Sequence, residues 1–226
     1  MGEMVRYGSG SEGYLALPVQ GSGPAVVVIQ EWWGLVPHIK EVAERFAHHG
    51  FVALAPDLYQ GAHTTEPDEA RRLAMGLEMD EAGRTVAEAA AHLVGLPQTT
   101  GERVGAVGFC FGGSLALWSA TLSPHVVATA AFYPAVPWER MRPQWDNYAG
   151  RTALIHCSEE DGTSAAPGIQ QARRAIEEAG GKVSLHDYPG TRHAFFNDDR
   201  PEVYDAVASA TAWERTTQFL HDRLSG

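Results

Sequence analysis

The chain has 226 residues, of which 44% are hydrophobic and 20% are charged. This composition is typical of a globular protein and excludes a disordered or fibrous chain. The 28 acidic residues outnumber the 17 basic ones and give a net charge of −11, with no basic block anywhere. Because such a surface repels phosphate backbones and anionic lipids, we expect neither nucleic acid nor a membrane as a partner.

The N-terminal segment and the two cysteines bear on where the protein acts. No apolar run follows Met1–Arg6, as a secretory signal would require, and the most apolar stretch, Ala25–Ile29, is too short to span a bilayer. Cys110 and Cys157 form neither a zinc-binding spacing nor a disulfide framework. We therefore expect a reduced, cytoplasmic protein without a bound metal, in which each cysteine serves either packing or chemistry.

Short apolar segments along the chain predict seven strands. They are Tyr14–Val19, Ala25–Gln30, Phe51–Ala55, Arg103–Phe109, Val126–Tyr133, Arg151–Cys157 and Lys182–Tyr188. Several are nearly continuous apolar runs, which are typical of strands buried on both faces of a parallel sheet.

Segments with helical periodicity alternate with these strands. The predicted apolar faces cover Ile39–Ala47, Val86–Val94, Ile169–Ala179 and Ala206–Leu220, and a loop at Leu58–Pro67 precedes a short helix at Glu69–Met79. Alternating strands and helices predict an open α/β sheet with right-handed crossovers. No domain boundary is visible, so residues 1–226 are expected to form a single domain.

The most informative motif is Gly108-Phe109-Cys110-Phe111-Gly112, which joins a predicted strand to a predicted helix. This is the pattern of a nucleophile elbow with Cys in place of Ser. Gly108 and Gly112 leave room where strand and helix approach, and the helix N-terminus favours a thiolate at Cys110. The alternative is a buried packing cysteine, since free Cys is often buried. A phosphate loop is disfavoured because no Gly-Lys-Ser/Thr follows.

A cysteine nucleophile needs a base and a residue that orients the base. Asp161 and His193 each follow a predicted strand, in the order that an elbow of this type requires. Taken alone, Asp161 would be a turn or capping residue, with Glu159 and Glu160 as rivals, and His193 would be a solvated loop residue. Together with Cys110, the ordered set indicates a Cys-His-Asp triad.

From about Pro24 to its C-terminus, the chain resembles the dienelactone hydrolase family, which are cysteine members of the α/β-hydrolase fold. The segments that carry the resemblance are Gln30–Gly34, Ala55–Tyr59, Gly108–Gly113, the acidic turn around Asp161 with Pro167 beyond it, and Gly190–Phe195. The resemblance implies a single α/β-hydrolase domain with a mostly parallel sheet flanked by helices.

The resemblance also implies catalytic roles. Cys110 matches the nucleophile, His193 the base and acid, and Asp161 the residue that holds the imidazole tautomer. Glu31 matches a glutamate that contacts the resting nucleophile and helps to activate it when substrate binds. On the residues alone, Glu31 would be a solvated residue at a strand end.

Further positions follow from the same match. The backbone N–H groups of Phe111 and Trp32 would form the oxyanion hole, and such donors are commonly worth about 3–4 kcal/mol each. Tyr133 matches a pocket tyrosine, with core packing as the alternative, and the rings of Trp32 and Trp33 are equally compatible with packing.

The chain departs from the family where substrate carboxylates are held. Family enzymes that act on dienelactone hold that carboxylate with arginines, one of them four residues after the catalytic histidine. That position is Asn197 here. A second arginine would be Arg71 or Arg72, although adjacent arginines in a short helix are often simply solvated.

We therefore expect a hydrolase of small-molecule esters or lactones that works through an acyl-enzyme without a cofactor or metal, as a monomer or small homo-oligomer. One alternative is a general carboxylesterase or thioesterase of the same fold. The other is a non-catalytic hydrolase-fold protein in which Cys110 senses oxidation or binds a ligand.

Overall fold

A computed structural model describes residues 2–135 and 138–224 of the chain. The strands are β1 Glu3–Tyr7, β2 Ser11–Ala16, β3 Gly23–Ile29, β4 Val52–Pro56, β5 Thr99–Phe109, β6 Val126–Phe132, β7 Thr152–Ser158 and β8 Lys182–Tyr188. They form one sheet in the spatial order β1-β2-β4-β3-β5-β6-β7-β8. The strand β2 pairs antiparallel with both β1 and β4, and all neighbouring pairs from β4 to β8 in this order are parallel.

Helices cover both faces of this sheet. Helices α1 and α7 pack with one face, and α3, α4 and α6 pack with the other, so that two apolar layers enclose the buried strands. The helices are α1 Pro37–His48, α2 Pro67–Gly76, α3 Met79–Val94, α4 Phe111–Leu122, α5 Trp138–Met141, α6 Pro167–Glu178 and α7 Ala206–Leu224, with short 3₁₀ turns at Trp145–Tyr148 and Thr163–Ala165. The predicted α/β fold with a mostly parallel sheet is confirmed.

The antiparallel edge of the sheet differs from the prediction. The strand β1 was not predicted, because most of its residues are exposed and carry no apolar pattern, yet its backbone pairs with β2 over five positions. The strand β2 lies at Ser11–Ala16 rather than at Tyr14–Val19. Pro18 has no N–H to donate and Val19 is exposed, so neither continues the ladder.

The helical segment after β4 also differs in its bounds. The predicted helix Glu69–Met79 begins two residues earlier, at Pro67, and ends at Gly76. Leu77 and Glu78 are extended, and Met79 starts the next helix, α3. Proline at the first helical position explains the earlier start. The N–H at this position has no partner within a helix, so proline, which lacks it, loses no hydrogen bond there.

The predicted elbow is the junction of β5 and α4. Cys110 lies between them with φ 54° and ψ −120°, a conformation that costs a non-glycine residue of order 1–3 kcal/mol. A Cβ atom on Gly108 would lie 1.9 Å from the carbonyl oxygen of Gly112, and one on Gly112 would lie 2.2 Å from that of Gln30. Only glycine at these two positions allows α4 to approach the sheet so closely.

The parallel strands end at one edge of the sheet, and the predicted site residues follow those ends. Glu31 lies after β3, Cys110 after β5, Asp161 after β7 and His193 after β8. Open α/β sheets bind ligands outside the carboxyl ends of their strands. The topology therefore brings four residues distant in sequence to one place.

Candidate active site

Backbone hydrogen bonds hold the elbow from both sides. The Cys110 N–H donates to the carbonyl of Phe132, 3.0 Å away, at the end of β6. The Cys110 carbonyl accepts from the N–H groups of Gly113 at 3.0 Å and Ala135 at 3.1 Å. These bonds stabilise the strained conformation and leave the half-buried Cys110 side chain at the end of the sheet.

His193 lies between Cys110 and Asp161. Its Nδ1 is 2.7 Å from Oδ2 of Asp161, and the Cys110 side chain contributes to the raised pKa of its imidazole. The hydroxyl of Ser158 donates to the same Asp161 oxygen at 2.5 Å. Sequence reasoning did not find Ser158, which looks like an ordinary last residue of a buried strand.

The surroundings of His193 and Asp161 favour the charged form of both side chains. Burial lowers the pKa of His193, but hydrogen bonds to Asp161 and Cys110 and the charges of these groups outweigh burial and raise it to about 10. Burial raises the pKa of Asp161, and the bonds from His193 and Ser158 more than reverse this, so the carboxyl has a lowered pKa. The arrangement stabilises the imidazolium form of His193 beside the Asp161 carboxylate.

The three acidic residues after β7 make different contacts. Glu159 accepts from the backbone N–H of Gly190 at 2.8 Å, and Glu160 accepts from that of His193 at 2.7 Å. Of the three, Asp161 alone contacts the imidazole. The two rivals in sequence thus hold the backbone of the loop that carries the histidine, a role that no sequence pattern distinguishes from that of Asp161.

Glu31 is a buried carboxylate, 2% exposed, that is held by two donors. The Tyr133 hydroxyl donates to Oε1 at 3.3 Å, and Nδ2 of Asn197 donates to Oε2 at 2.8 Å. Among the described residues Glu31 makes no hydrogen bond to Cys110, the contact that the resemblance implies for the resting nucleophile. The Cys110 side chain instead influences His193, whose pKa it raises.

Tyr133 links Glu31 to the histidine. Its ring is fully buried and lies edge-on to His193, with ring centroids 5.1 Å apart. Burial and the charges of Glu31 and Cys110 raise the pKa of the Tyr133 hydroxyl well above its usual range, so it stays a hydrogen-bond donor. Tyr133 therefore combines the predicted pocket position with core packing.

Two cavities that share Ala135 lie beside the elbow. The first, which we call the arginine cavity, has a volume of about 360 Å³ and is lined by Trp32, Arg71, Ala74, Met75, Phe111, Ala135 and Arg140. The second, which we call the histidine cavity, has a volume of about 200 Å³, and its walls include Tyr133, Asp161 and His193. The two residues predicted to supply the oxyanion hole, Trp32 and Phe111, thus line one cavity.

The structure separates the two adjacent arginines of α2. Arg71 lines the arginine cavity and has no ion pair within the described part of the chain, whereas Arg72 pairs with Glu69 and lies on a different surface cleft. Arg140 was not predicted. It donates to the carbonyls of Ala74, Met75 and Leu77 at the end of α2, at 3.1–3.4 Å, and so ties that helix over the elbow.

The second cysteine, Cys157, is buried in β7. Burial and the charges of Asp187 and Asp161 raise the pKa of its thiol to about 12, which makes it a poor nucleophile.

Within residues 2–135 and 138–224, no group of three or more His, Cys, Asp or Glu side chains could hold a metal ion. In the same residues no helix is both long and apolar enough to cross a membrane.

The sheet order, the elbow and the histidine loop define a protein of the α/β-hydrolase class. A family model described as the dienelactone hydrolase family matches residues 11–224. A candidate carboxymethylenebutenolidase of Synechocystis is 34% identical over 94% of this chain and 92% of its own, and one of Aquifex aeolicus is 32% identical over 99% and 100%. A solved structure described as a candidate dienelactone hydrolase of Klebsiella pneumoniae shares the fold, with a TM-score of 0.80 at 23% identity over 97% of this chain and 98% of that one.

The chain belongs to the dienelactone hydrolase family. It is therefore a hydrolase of ester or lactone bonds, and the resemblance drawn from its motifs is confirmed.

The raised pKa of His193 and the lowered pKa of Asp161 predict a pH-dependent contribution to the stability of the fold. The raised pKa of His193 stabilises the fold fully below the unfolded value near 6.5, and this contribution is lost as pH rises to about 10. The lowered pKa of Asp161 stabilises the fold above about pH 4, and this contribution is lost below it. The difference in unfolding free energy between wild type and His193→Gln should therefore be largest between about pH 4 and 6.5.

Urea unfolding of both proteins at several pH values measures this difference. His48→Gln, which removes an exposed histidine of α1, is the matched control and should show a small difference at every pH. A difference for His193→Gln that grew from pH 7 to pH 10 would contradict the assigned contacts.

Proposed function

We propose that the protein hydrolyses small-molecule esters or lactones with Cys110 as the nucleophile, His193 as the acid and base, and Asp161 as the residue that orients the imidazole. The observation that carries the proposal is the position of His193, which contacts Asp161 at 2.7 Å and whose pKa is raised by Asp161 and Cys110, at the carboxyl ends of three strands. An ion pair of thiolate and imidazolium is a nucleophile that is ready before substrate arrives.

The proposed first half-reaction forms an acyl-enzyme. The Cys110 thiolate attacks the carbonyl carbon, and the carbonyl oxygen becomes an oxyanion that the backbone N–H groups of Phe111 and Trp32 stabilise. As the tetrahedral intermediate collapses, the bond to the leaving oxygen breaks and His193 donates its proton to that oxygen. The products of this step are an alcohol or enol and a thioester on Cys110.

The second half-reaction releases the acid. Neutral His193 takes a proton from water as the water oxygen attacks the thioester carbon, and collapse expels the Cys110 thiolate. The thiolate and the imidazolium are thereby restored. Asp161 supports both steps because its bond to Nδ1 presents the other ring nitrogen to the reacting atoms.

Glu31 has a separate role in the proposal. It is the alternative partner of the Cys110 thiol, since a carboxylate can accept a thiol proton but disfavours a standing thiolate beside it. Tyr133 and Asn197 bind both carboxylate oxygens of Glu31 and hold it away from that contact. Asn197 therefore acts on Glu31 in our proposal rather than on a substrate anion.

Turnover by Cys110 distinguishes this proposal from a non-catalytic hydrolase-fold protein. We expect Cys110→Ala to lose turnover on cis- and trans-dienelactone and on p-nitrophenyl esters while keeping its fold, and Asp161→Asn to lose most of it because the imidazole takes the wrong tautomer. Initial rates of the purified proteins measure this. Cys157→Ala, which removes the buried cysteine, is the control and should keep turnover.

Turnover that survives in Cys110→Ala would end the assignment of the nucleophile. A wild-type rate in Asp161→Asn would move the orienting role to another group. A preference for neutral p-nitrophenyl esters over dienelactone would favour the general carboxylesterase among the alternatives.

Arg71 is the proposed contact for an anionic substrate. Its side chain lines the arginine cavity beside Trp32 and Phe111 and has no ion pair within the described residues. We expect Arg71→Gln to lower kcat/KM for dienelactone about tenfold, the value of one charge-assisted hydrogen bond, and to leave p-nitrophenyl acetate unaffected. Arg72→Gln is the matched control and should change neither rate. Equal losses in the two variants, or an equal loss on both substrates, would contradict the assignment.

A further inference from the structure

The carboxylate of Asp161 lies in a place that does not by itself fix its orientation. Asp161 belongs to the turn between β7 and the 3₁₀ segment Thr163–Ala165, and 36% of its side chain is exposed. It also lines the histidine cavity, so one side of the carboxylate faces open space. A carboxylate that turned toward this space would leave His193. The position of the imidazole therefore depends on the contact that holds Asp161.

Ser158 provides this contact through its hydroxyl. The hydroxyl donates to Oδ2 of Asp161 at 2.5 Å, and the backbone N–H of Asp161 donates back to the Ser158 oxygen at 3.3 Å. One hydroxyl thus holds both the carboxylate and the backbone of the turn. Because Ser158 is fully buried, the two bonds are shielded from water.

The strand β7 fixes Ser158 itself. Ser158 is the last residue of β7 and pairs with Tyr188, at the end of a ladder of seven paired positions between β7 and β8. All seven residues of β7 are buried. A rigid strand end is therefore connected through one side chain to a carboxylate in a partly exposed turn.

The two side-chain donors to Asp161 converge on one oxygen. Nδ1 of His193 lies 2.7 Å from Oδ2, the oxygen that also accepts from Ser158, and Oδ1 accepts no hydrogen bond from any described residue. The last torsion of an aspartate side chain has a broad energy minimum, so a single bond leaves the carboxylate room to rotate. The second bond from Ser158 restricts this rotation.

The Ser158 hydroxyl acts on Asp161 alone among the titratable groups of the site. The other titratable groups close to Asp161 and His193 are Cys110, Tyr133, Cys157, Glu159 and Glu160. The Ser158 hydroxyl hydrogen-bonds none of these five. An effect of its removal on the imidazole would therefore pass through the Asp161 carboxylate.

We propose that Ser158 is a positioning residue of the active site, whose hydroxyl holds Asp161 in the orientation that pairs with His193. The consequence for turnover rests on the proposed function, in which an oriented imidazole activates water for release of the acid. The positioning itself does not, because none of the contacts that support it involves Cys110.

NMR titration of His193 tests the positioning without any turnover. The reference protein is Cys110→Ala, in which Asp161 is the remaining acidic side-chain partner of the imidazole. Addition of Ser158→Ala should lower the pKa of His193 by about one unit, because a carboxylate that rotates away stabilises the imidazolium less. Alanine is smaller than serine and introduces no clash. Asp161→Asn in the same background removes the pairing completely and should give a larger shift in the same direction.

Ser164→Ala is the matched control for this titration. Ser164 also holds a carboxylate, since its hydroxyl donates to Oδ2 of Asp187 at 2.8 Å and its backbone N–H donates to Oδ1 at 2.6 Å. Asp187 makes no hydrogen bond to His193, so the pKa of His193 should stay the same in this variant. An unchanged or raised pKa of His193 in Ser158→Ala, or an equal shift in Ser164→Ala, would overturn the proposal.

Initial rates with Cys110 in place test the consequence for turnover. Ser158→Ala should lower kcat for p-nitrophenyl acetate about tenfold, the value of one hydrogen bond to a charged group, and Ser164→Ala should keep the wild-type kcat. A wild-type kcat in Ser158→Ala would overturn the positioning role. A wild-type protein without turnover would contradict the proposed function, whereas the titration of His193 would still confirm or overturn the role of Ser158.

Discussion

The tight turn at Cys110 is the constraint on which the rest of the site depends. The turn exists because Gly108 and Gly112 let α4 meet the end of β5 at a distance that any Cβ would prevent. It places a non-glycine residue at positive φ, and backbone hydrogen bonds to Phe132 and from Gly113 and Ala135 hold it there. Strain of this kind persists only where the surrounding structure over-determines it.

The loops after neighbouring strands place polar side chains near the turn at Cys110. The loop after β7 contributes three carboxylates, of which two bind backbone N–H groups of the histidine loop and the third binds the imidazole. The position of His193 thus depends on Glu159 and Glu160 as well as on Asp161. Glu31 is held in the same manner, by Tyr133 and Asn197 from two further segments.

Much of this arrangement could be predicted from the sequence. The strand ends and the order of Cys110, Asp161 and His193 follow from local patterns, because parallel strands end at one edge of the sheet. The burial of Glu31 could not be predicted from local patterns, since its two donors lie 102 and 166 residues away. The sequence also does not predict which of Arg71 and Arg72 lines the arginine cavity, because adjacent residues of a helix differ only in the direction in which their side chains point.

The antiparallel edge of the sheet shows a second limit of prediction from the sequence. The strand β1 has little apolar character, and backbone pairing with β2 rather than burial makes it a strand. Local patterns predict that Cys110, Asp161 and His193 follow strand ends, whereas a buried anchor such as Glu31 depends on contacts between distant segments.

The covalent intermediate is the most direct test of the account. Wild-type protein mixed with p-nitrophenyl acetate and quenched in acid within the first turnovers should carry one acetyl group, and mass spectrometry of its peptides should locate that group on Cys110. Asp161→Asn should retain the adduct for longer, because water activation by His193 is impaired. Continued turnover without an adduct, or with an acetyl group on any other residue, would contradict the account.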